Sequence, residues 1–205
     1  MKAIGLPGRT LVNLEPISPL ASTTMSIAFA RACRYGWMSE HQYRCIAEEL
    51  LAHPGCSLLI FGIGYDSLFW SQCVSGELAF IEDNSKFLTM APADSRIVLY
   101  EYGSQVGQWL PVPNPPSLIN KRWDYALVDG PAGFGPNCPG RQFPIDWSRR
   151  LATCGVFIHD YQRPWERAVC DKVWGTPSAV VDAADGLPGD LAFYRLSPTG
   201  EVVTH

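Results

Sequence analysis

The sequence predicts an α/β fold built on a doubly wound, mostly parallel sheet, and three observations lead there. Seven short β-rich runs, residues 57–64, 77–84, 96–103, 123–130, 155–161, 178–182 and 191–197, follow one another between turn and helix signals. The middles of the first five, "LLIF", "AFI", "IVLY", "YALV" and "VFI", are continuously apolar, as in strands covered by helices on both faces. At 205 residues the chain can enclose such a sheet in one domain. The expected architecture is a seven-stranded, Rossmann-like sheet preceded by N-terminal helices.

The elements follow in order. The segment before Ala21 carries Pro7, Pro16 and Pro19 and reads as an irregular arm. "STTMSIAFARACRYG" (22–36) reads as a helix ending at Gly36. Residues 1–38 are therefore expected to form an arm and a helix able to lie over the site as a lid, with the main domain over 39–205. A second helix is announced by Ser39 followed by Gln42, a capping box. Ile46, Leu50 and Leu51 give it an apolar stripe, and His53-Pro54-Gly55 ends it.

Composition narrows the function. The chain is 47% hydrophobic and 18% charged, with a net charge of -4, so it offers no electrostatic reason to bind nucleic acid or an anionic membrane. No apolar run has the length of a membrane span, and the N-terminus lacks a signal-peptide core. The seven cysteines contain no Cys-x-x-Cys pair and several fall in apolar segments, which suits reduced thiols in a cytoplasmic protein.

The stretch "LLIFGIGYDSLFWSQCVSGELAFIEDN" (58–84) carries the chemistry. In doubly wound sheets ligands bind at the carboxyl ends of the strands, where strand order reverses. Gly62 and Gly64 let the chain turn sharply and let a ligand approach its backbone. Glu82 closes the next strand, where a carboxylate can accept both ribose hydroxyls of an adenosyl ligand. A dinucleotide site prefers a third glycine, but Ser67 stands there, and Asp66 would be a poor neighbour for phosphates. Beside a cationic sulfonium and an ammonium group Asp66 is acceptable, so S-adenosylmethionine is the expected ligand. Its contacts are expected from Gly62, Gly64, Tyr65, Asp66, Ser67, Glu82 and Asp83.

On the acceptor side, Asp129 ends the "ALVDGP" strand and His159-Asp160 ends "VFIHD". A hydroxyl acceptor needs a base or a metal to take its proton, and these residues can supply either. Histidine is the natural base, with its ordinary pKa of about 6.5. Asp129 and Asp160, with or without His159, could instead hold Mn²⁺, Co²⁺ or Mg²⁺. Alternation along a strand would send His159 and Asp160 apart unless the chain has turned there. The loop "GPAGFGPNCPGRQFP" (130–144) starts at the active strand end and suits a binding element. Within it Arg141 could clamp an acceptor carboxylate, and Phe134 could contact the acceptor.

"LLIFGIGYDSLFW", "FIEDN", "WDYALVDGPAGFGPNCPGR" and "GVFIHDYQRPWE", in that order, resemble the motifs of the glucuronoxylan 4-O-methyltransferase family, the plant polysaccharide-biosynthesis domain. The resemblance runs from about Ser39 to Trp174. It implies a class I S-adenosylmethionine-dependent methyltransferase fold and activity on glucuronic acid side chains of xylan. It also implies that Gly62, Gly64, Asp66 and Ser67 line the donor site and that Glu82 holds the donor ribose. The plant proteins have an N-terminal membrane anchor and work in the Golgi, whereas neither is expected of this chain. After the Pro-Gly-Arg block the chain reads "QFPIDWSRRLATCG", where the family has small residues and a longer insert, so the acceptor side differs.

The function expected is transfer of a methyl group from S-adenosylmethionine to a hydroxyl of a small-molecule or saccharide, uronic-acid-like acceptor. Two rivals stand beside it. One is transfer or cyclisation of the donor's aminocarboxypropyl arm, releasing methylthioadenosine. The other is a degenerate donor-binding scaffold subunit.

Overall fold

A computed structural model describes residues 23–183 and 189–204. The expected arm before residue 23 lies outside the described residues. Two helices come first, α1 (Thr23–Tyr35) and α2 (Glu40–Leu51). Ser39 caps α2 as its spacing predicts. The Gln42 amide donates to Ser39 Oγ at 3.3 Å and the Ser39 amide donates to Gln42 Oε1 at 3.0 Å. This satisfies two of the amides that a helix start leaves without partners. α1 buries Met25, Ala28, Phe29 and Ala32, and the Phe29 and Phe69 ring centroids are 5.3 Å apart. This helix is part of the main core.

All seven expected strands are present: β1 (Leu58–Phe61), β2 (Leu78–Glu82), β3 (Arg96–Leu99), β4 (Trp123–Val128), β5 (Ala152–His159), β6 (Ala179–Val181) and β7 (Leu191–Arg195). They form one sheet in the order β3-β2-β1-β4-β5-β7-β6. The first five pair in parallel, while β7 runs antiparallel to both β5 and β6. The helices α3 (Ser67–Cys73), α4 (Gln142–Leu151) and α5 (Pro164–Val173) complete the fold.

The continuous apolar runs are explained by two cores. Leu58, Ile60, Phe80 and Leu127 face α1, α2 and α3, while Leu59, Phe61, Ile81 and Val128 pack with Phe143, Trp147 and Val169 on the other side. Each such side chain contributes roughly 1.5–3 kcal/mol by leaving water. "IVLY" is the exception to the expected burial. β3 is an edge strand, and Ile97 and Leu99 are 37% and 55% exposed. β5 also starts earlier than its β-rich run suggested, because α4 ends at Leu151 and the strand begins at the next residue. No described helix is long and apolar enough to cross a membrane. The cysteines are free thiols, as expected, and Cys56, Cys73 and Cys170 are buried.

Strand order reverses at β1, which pairs with β2 on one side and β4 on the other. The crevice between the ends of β1 and β4 is therefore where a ligand is expected.

Candidate active site

The β1 end is shaped by its glycines. Gly62 has φ 107, and a Cβ there would lie 3.1 Å from the Gly130 amide nitrogen on the neighbouring strand end. Glycine is needed at this position both for the turn and for the close approach of two backbones. Gly64 differs. A Cβ there would meet only Asp66 Oδ1, at 3.0 Å, so the space above it is otherwise open. Ser67 Oγ accepts from the Gly64 amide at 3.0 Å and holds the turn. Tyr65 does not join this space. Its ring lies 5.4 Å from that of Tyr35 on α1.

Asp66 is buried, and its Oδ2 accepts from the Tyr43 hydroxyl at 3.2 Å. Burial, and then the charge of Asp129, pushes its carboxyl up to about 7. Among the described residues no lysine, arginine or histidine forms an ion pair with Asp66. Glu82 is also buried. Its Oε2 accepts from the Ile63 amide at 2.7 Å and its Oε1 from the Asn84 amide at 2.8 Å. Burial raises its pKa against the effect of those two bonds. Each oxygen keeps a further lone pair for a ligand hydroxyl. Asp83 beside it is exposed.

Two hydroxyls near here have no counterpart in the sequence reading. Tyr102 and Ser104 are buried after β3, and neither hydroxyl has a hydrogen-bond partner. Burial, then the charges of Asp83 and Glu82, raises the Tyr102 pKa, which places its ring at the β2 end. Only their position after an expected strand, in "YEYGS", could have singled them out.

The β4 and β5 ends bring the expected acceptor-side residues together. Val128 pairs with Ile158, so Asp129 and His159 emerge side by side. His159 Nδ1 is 2.8 Å from Asp129 Oδ1. Asp160 adopts φ 61, a left-handed conformation that swings its carboxylate back, with Oδ2 3.6 Å from His159 Nδ1. The chain has turned at this residue, and the two neighbours converge.

Arg141 corrects an expectation. It is 4% exposed, and its guanidinium donates to the carbonyls of Asp129, Pro131 and His159 and lies 2.8 Å from Asp160 Oδ2. It ties the loop to the strand ends from beneath and has no face left for an acceptor carboxylate. Arg163 Nη1 meets the same Asp160 oxygen at 2.9 Å. Burial opposes ionisation of Asp129, but His159, Arg141 and Arg163 outweigh it and hold its carboxyl below the usual range.

His159 turns Nδ1 to Asp129, and Nε2 on the far side of the ring is buried without a hydrogen-bond partner among the described residues. A Cβ on Gly189 would lie 2.6 Å from Nε2, so the Gly189 backbone covers it. Gln42 Nε2 donates to the Gly189 carbonyl at 2.7 Å and to that of Val181 at 3.2 Å, which ties this cover to α2. The side chain of Asp129 is 23% exposed against 1% for His159. Asp129 is thus the open member of the pair.

Asp129, His159 and Asp160 can each offer a ligand atom within 4.8 Å of the others. By residue type they suit a divalent cation. By charge they suit one poorly, since two guanidiniums already share Asp160 and a cation would compete with both. Phe134 stands 80% exposed on the loop, while Trp123 and Trp147 are core residues unable to stack on an acceptor.

No family model matches the chain. Among known proteins it is similar to Protein IRX15-LIKE of Arabidopsis thaliana, 27% identical over 200 residues that cover 76% of this chain and 63% of the relative. It is also 27% identical over 157 residues to the Arabidopsis Arabinogalactan O-methyltransferase 2, covering 57% of this chain and 54% of that protein. With Glucuronoxylan 4-O-methyltransferase 3 of the same plant it shares 27% over 146 residues, 54% of this chain and 49% of the relative. The chain therefore spans less than two thirds of each of these relatives. Among solved structures, magnesium protoporphyrin IX methyltransferase from Synechocystis PCC 6803, with bound S-adenosylmethionine, matches 75% of this chain and 77% of its own at TM-score 0.50 and 10% identity. A Thermoplasma acidophilum protein matches 85% of this chain and 98% of its own at TM-score 0.53 and 10% identity. The chain thus has the class I S-adenosylmethionine-dependent methyltransferase fold, and its sequence is similar to the plant polysaccharide O-methyltransferases.

Proposed function

We propose that the protein is an S-adenosylmethionine-dependent O-methyltransferase acting on a hydroxyl of a saccharide-like acceptor. The observation that carries the reading is Asp66, a buried carboxylate without a cationic partner among the described residues, whose Oδ1 faces the open space over Gly64. A ligand with a sulfonium and an ammonium group would supply the missing charge. The Gly64 backbone, Asp66, Glu82 and Tyr102 would hold it, and it would supply a methyl group on a cationic sulfur.

The chain's own part is to position the acceptor and take its proton. As the acceptor oxygen bonds to the methyl carbon, its hydroxyl becomes a far stronger acid than any carboxylic acid. Asp129 can therefore accept that proton even with its pKa held low. Its exposure makes Asp129 the group that meets the hydroxyl. His159 Nδ1–H steadies Oδ1, so the histidine is a positioning residue in this arrangement. The saccharide character of the acceptor is supported by the names of the relatives, two of which are polysaccharide O-methyltransferases.

A divalent cation at Asp129, His159 and Asp160 is the second reading, favoured by their convergence. Incubation with EDTA separates the two: full activity supports Asp129 as base, whereas loss restored by Mn²⁺, Co²⁺ or Mg²⁺ supports the cation.

The test of the main reading is calorimetric titration with S-adenosylhomocysteine, followed by product analysis with methyl-labelled donor. Micromolar binding and label transferred to the acceptor are expected. Release of methylthioadenosine would point to aminocarboxypropyl chemistry instead, and absence of binding would overturn the donor assignment.

A further inference from the structure

The 130–144 loop and the start of α5 enclose an open groove of about 610 Å³. Phe134, Arg163, Trp165 and Glu166 line it, with Val106 and Pro136 among its smaller walls. Two of these residues carry polar atoms with no hydrogen-bond partner among the described residues. Both carboxylate oxygens of Glu166 are buried without a hydrogen-bond partner, and so is Trp165 Nε1. Glu166 is fully buried, and Gly133 stands so close that a Cβ there would collide with Glu166 Oε1. A carboxyl group left in this state is destabilising, and the helix would be more stable with an apolar residue there. Two residues that line a groove with an aromatic wall thus carry unpaired polar atoms, acceptors on Glu166 and an N–H donor on Trp165, each packed against a glycine of the loop.

The groove adjoins the candidate active site through one shared side chain. Arg163 lines it and reaches Asp160 Oδ2 at 2.9 Å, and Asp160 stands beside His159. Trp165 is backed by Trp109, with ring centroids 4.8 Å apart, while Phe134 is exposed and unsupported.

We propose that this groove is the acceptor subsite and takes a polyhydroxylated ring, whose hydroxyls pair with Glu166 and Trp165 Nε1 while Phe134 covers its apolar face. Adjacent hydroxyls suit the arrangement because each can donate to a carboxylate oxygen and accept from an N–H. Aromatic side chains supply the flat apolar contact that the C–H face of such a ring offers. The subsite rests on the methyl-transfer reading for its purpose, but its binding is measurable without turnover.

The experiment is a tryptophan-fluorescence titration of the whole chain with arabinogalactan and glucuronoxylan oligosaccharides, run beside a calorimetric titration with S-adenosylhomocysteine. Wild type should bind at least one of the oligosaccharides. Glu166→Gln and Phe134→Ala should weaken that binding at least tenfold and leave the affinity for S-adenosylhomocysteine unchanged. Phe134 is on the surface, so its variant keeps the fold even if Glu166→Gln does not. Failure of every oligosaccharide to bind wild type, or unchanged affinity in Phe134→Ala, would overturn the subsite. Loss of S-adenosylhomocysteine binding by wild type would instead count against the methyltransferase reading and leave the saccharide result standing by itself.

Discussion

The two halves of the site are both acidic, but they differ in how their charge is balanced. At the β1 and β2 ends, Asp66 and Glu82 are buried with no cationic side chain among the described residues bonded to them, and burial lifts both carboxyls above their ordinary values. At the β4 and β5 ends, Asp129 and Asp160 are held by His159, Arg141 and Arg163, and the Asp129 carboxyl is pulled down. One half is electrostatically complete without a ligand. The other is incomplete and would be completed by a cation. A methyl donor that arrives positive and leaves with an uncharged sulfur would bind first to the incomplete half and react at the complete one.

The comparison can be broken most severely at Asp129. Asp129→Asn should lower turnover by about 10²–10⁴-fold in a single-turnover assay, with the affinity for S-adenosylhomocysteine nearly unchanged. If Asp129 is the base, turnover at saturating donor should show no acid limb near pH 6.5, because its carboxyl ionises well below that. A limb there would argue against Asp129 as the base.

Arg141→Met tests the completeness of the acceptor half. It leaves Asp160 with Arg163 alone and strips three carbonyls of a donor, so chemical denaturation should show a loss of about 3–5 kcal/mol. A loss below about 1 kcal/mol would mean that Arg141 contributes little to that half.

Glu82→Ala should weaken S-adenosylhomocysteine binding tenfold or more by calorimetry, the loss of charge-assisted bonds of about 1.5–3 kcal/mol. Unaltered affinity would place the ribose elsewhere.

Asp66→Asn gives the smallest and most discriminating effect. The folded carboxyl titrates at about 7, the unfolded one near its ordinary 3.8. As pH rises between these values the unfolded chain gives up its proton first, so stability falls across that window and is level above it. Asp66→Asn should remove that fall and raise the melting temperature at pH 8 by a few degrees, about 2–4 °C for each kcal/mol. The same variant should narrow the preference for S-adenosylmethionine over the uncharged-sulfur product. A lower melting temperature at pH 8 would show that Asp66 is already neutralised in the folded protein.

The expected elements were legible because their signals are local. Alternation between sheet and helix patterns, the Ser39–Gln42 box and the Gly62–Gly64 turn each depend on residues a few positions apart, and the structure contains them all. Glu82 at the end of β2 was legible for the same reason. What stayed hidden depends on who meets whom. Arg141 finds carbonyls 12 and 18 residues away, and no spacing rule says whether a loop arginine will face inward or outward. The convergence of His159 and Asp160 depends on a single positive φ at a residue that is not glycine. Likewise "IVLY" looks like any interior strand until the sheet order puts it at the edge.

The position of β7 has a consequence for how the protein is made. It is the last strand described, yet it inserts between β5 and β6 and so cannot be added at an outer edge. A nascent chain emerging from its N-terminus can assemble the parallel half early. Until residues 191–195 appear, however, β5 keeps an open edge and His159 lacks its Gly189 cover. Gln42, made long before, waits with its amide for that carbonyl. During synthesis the exposed β5 edge is the site most open to wrong pairing, and a chain stopped short of β7 would be the species a chaperone has to hold.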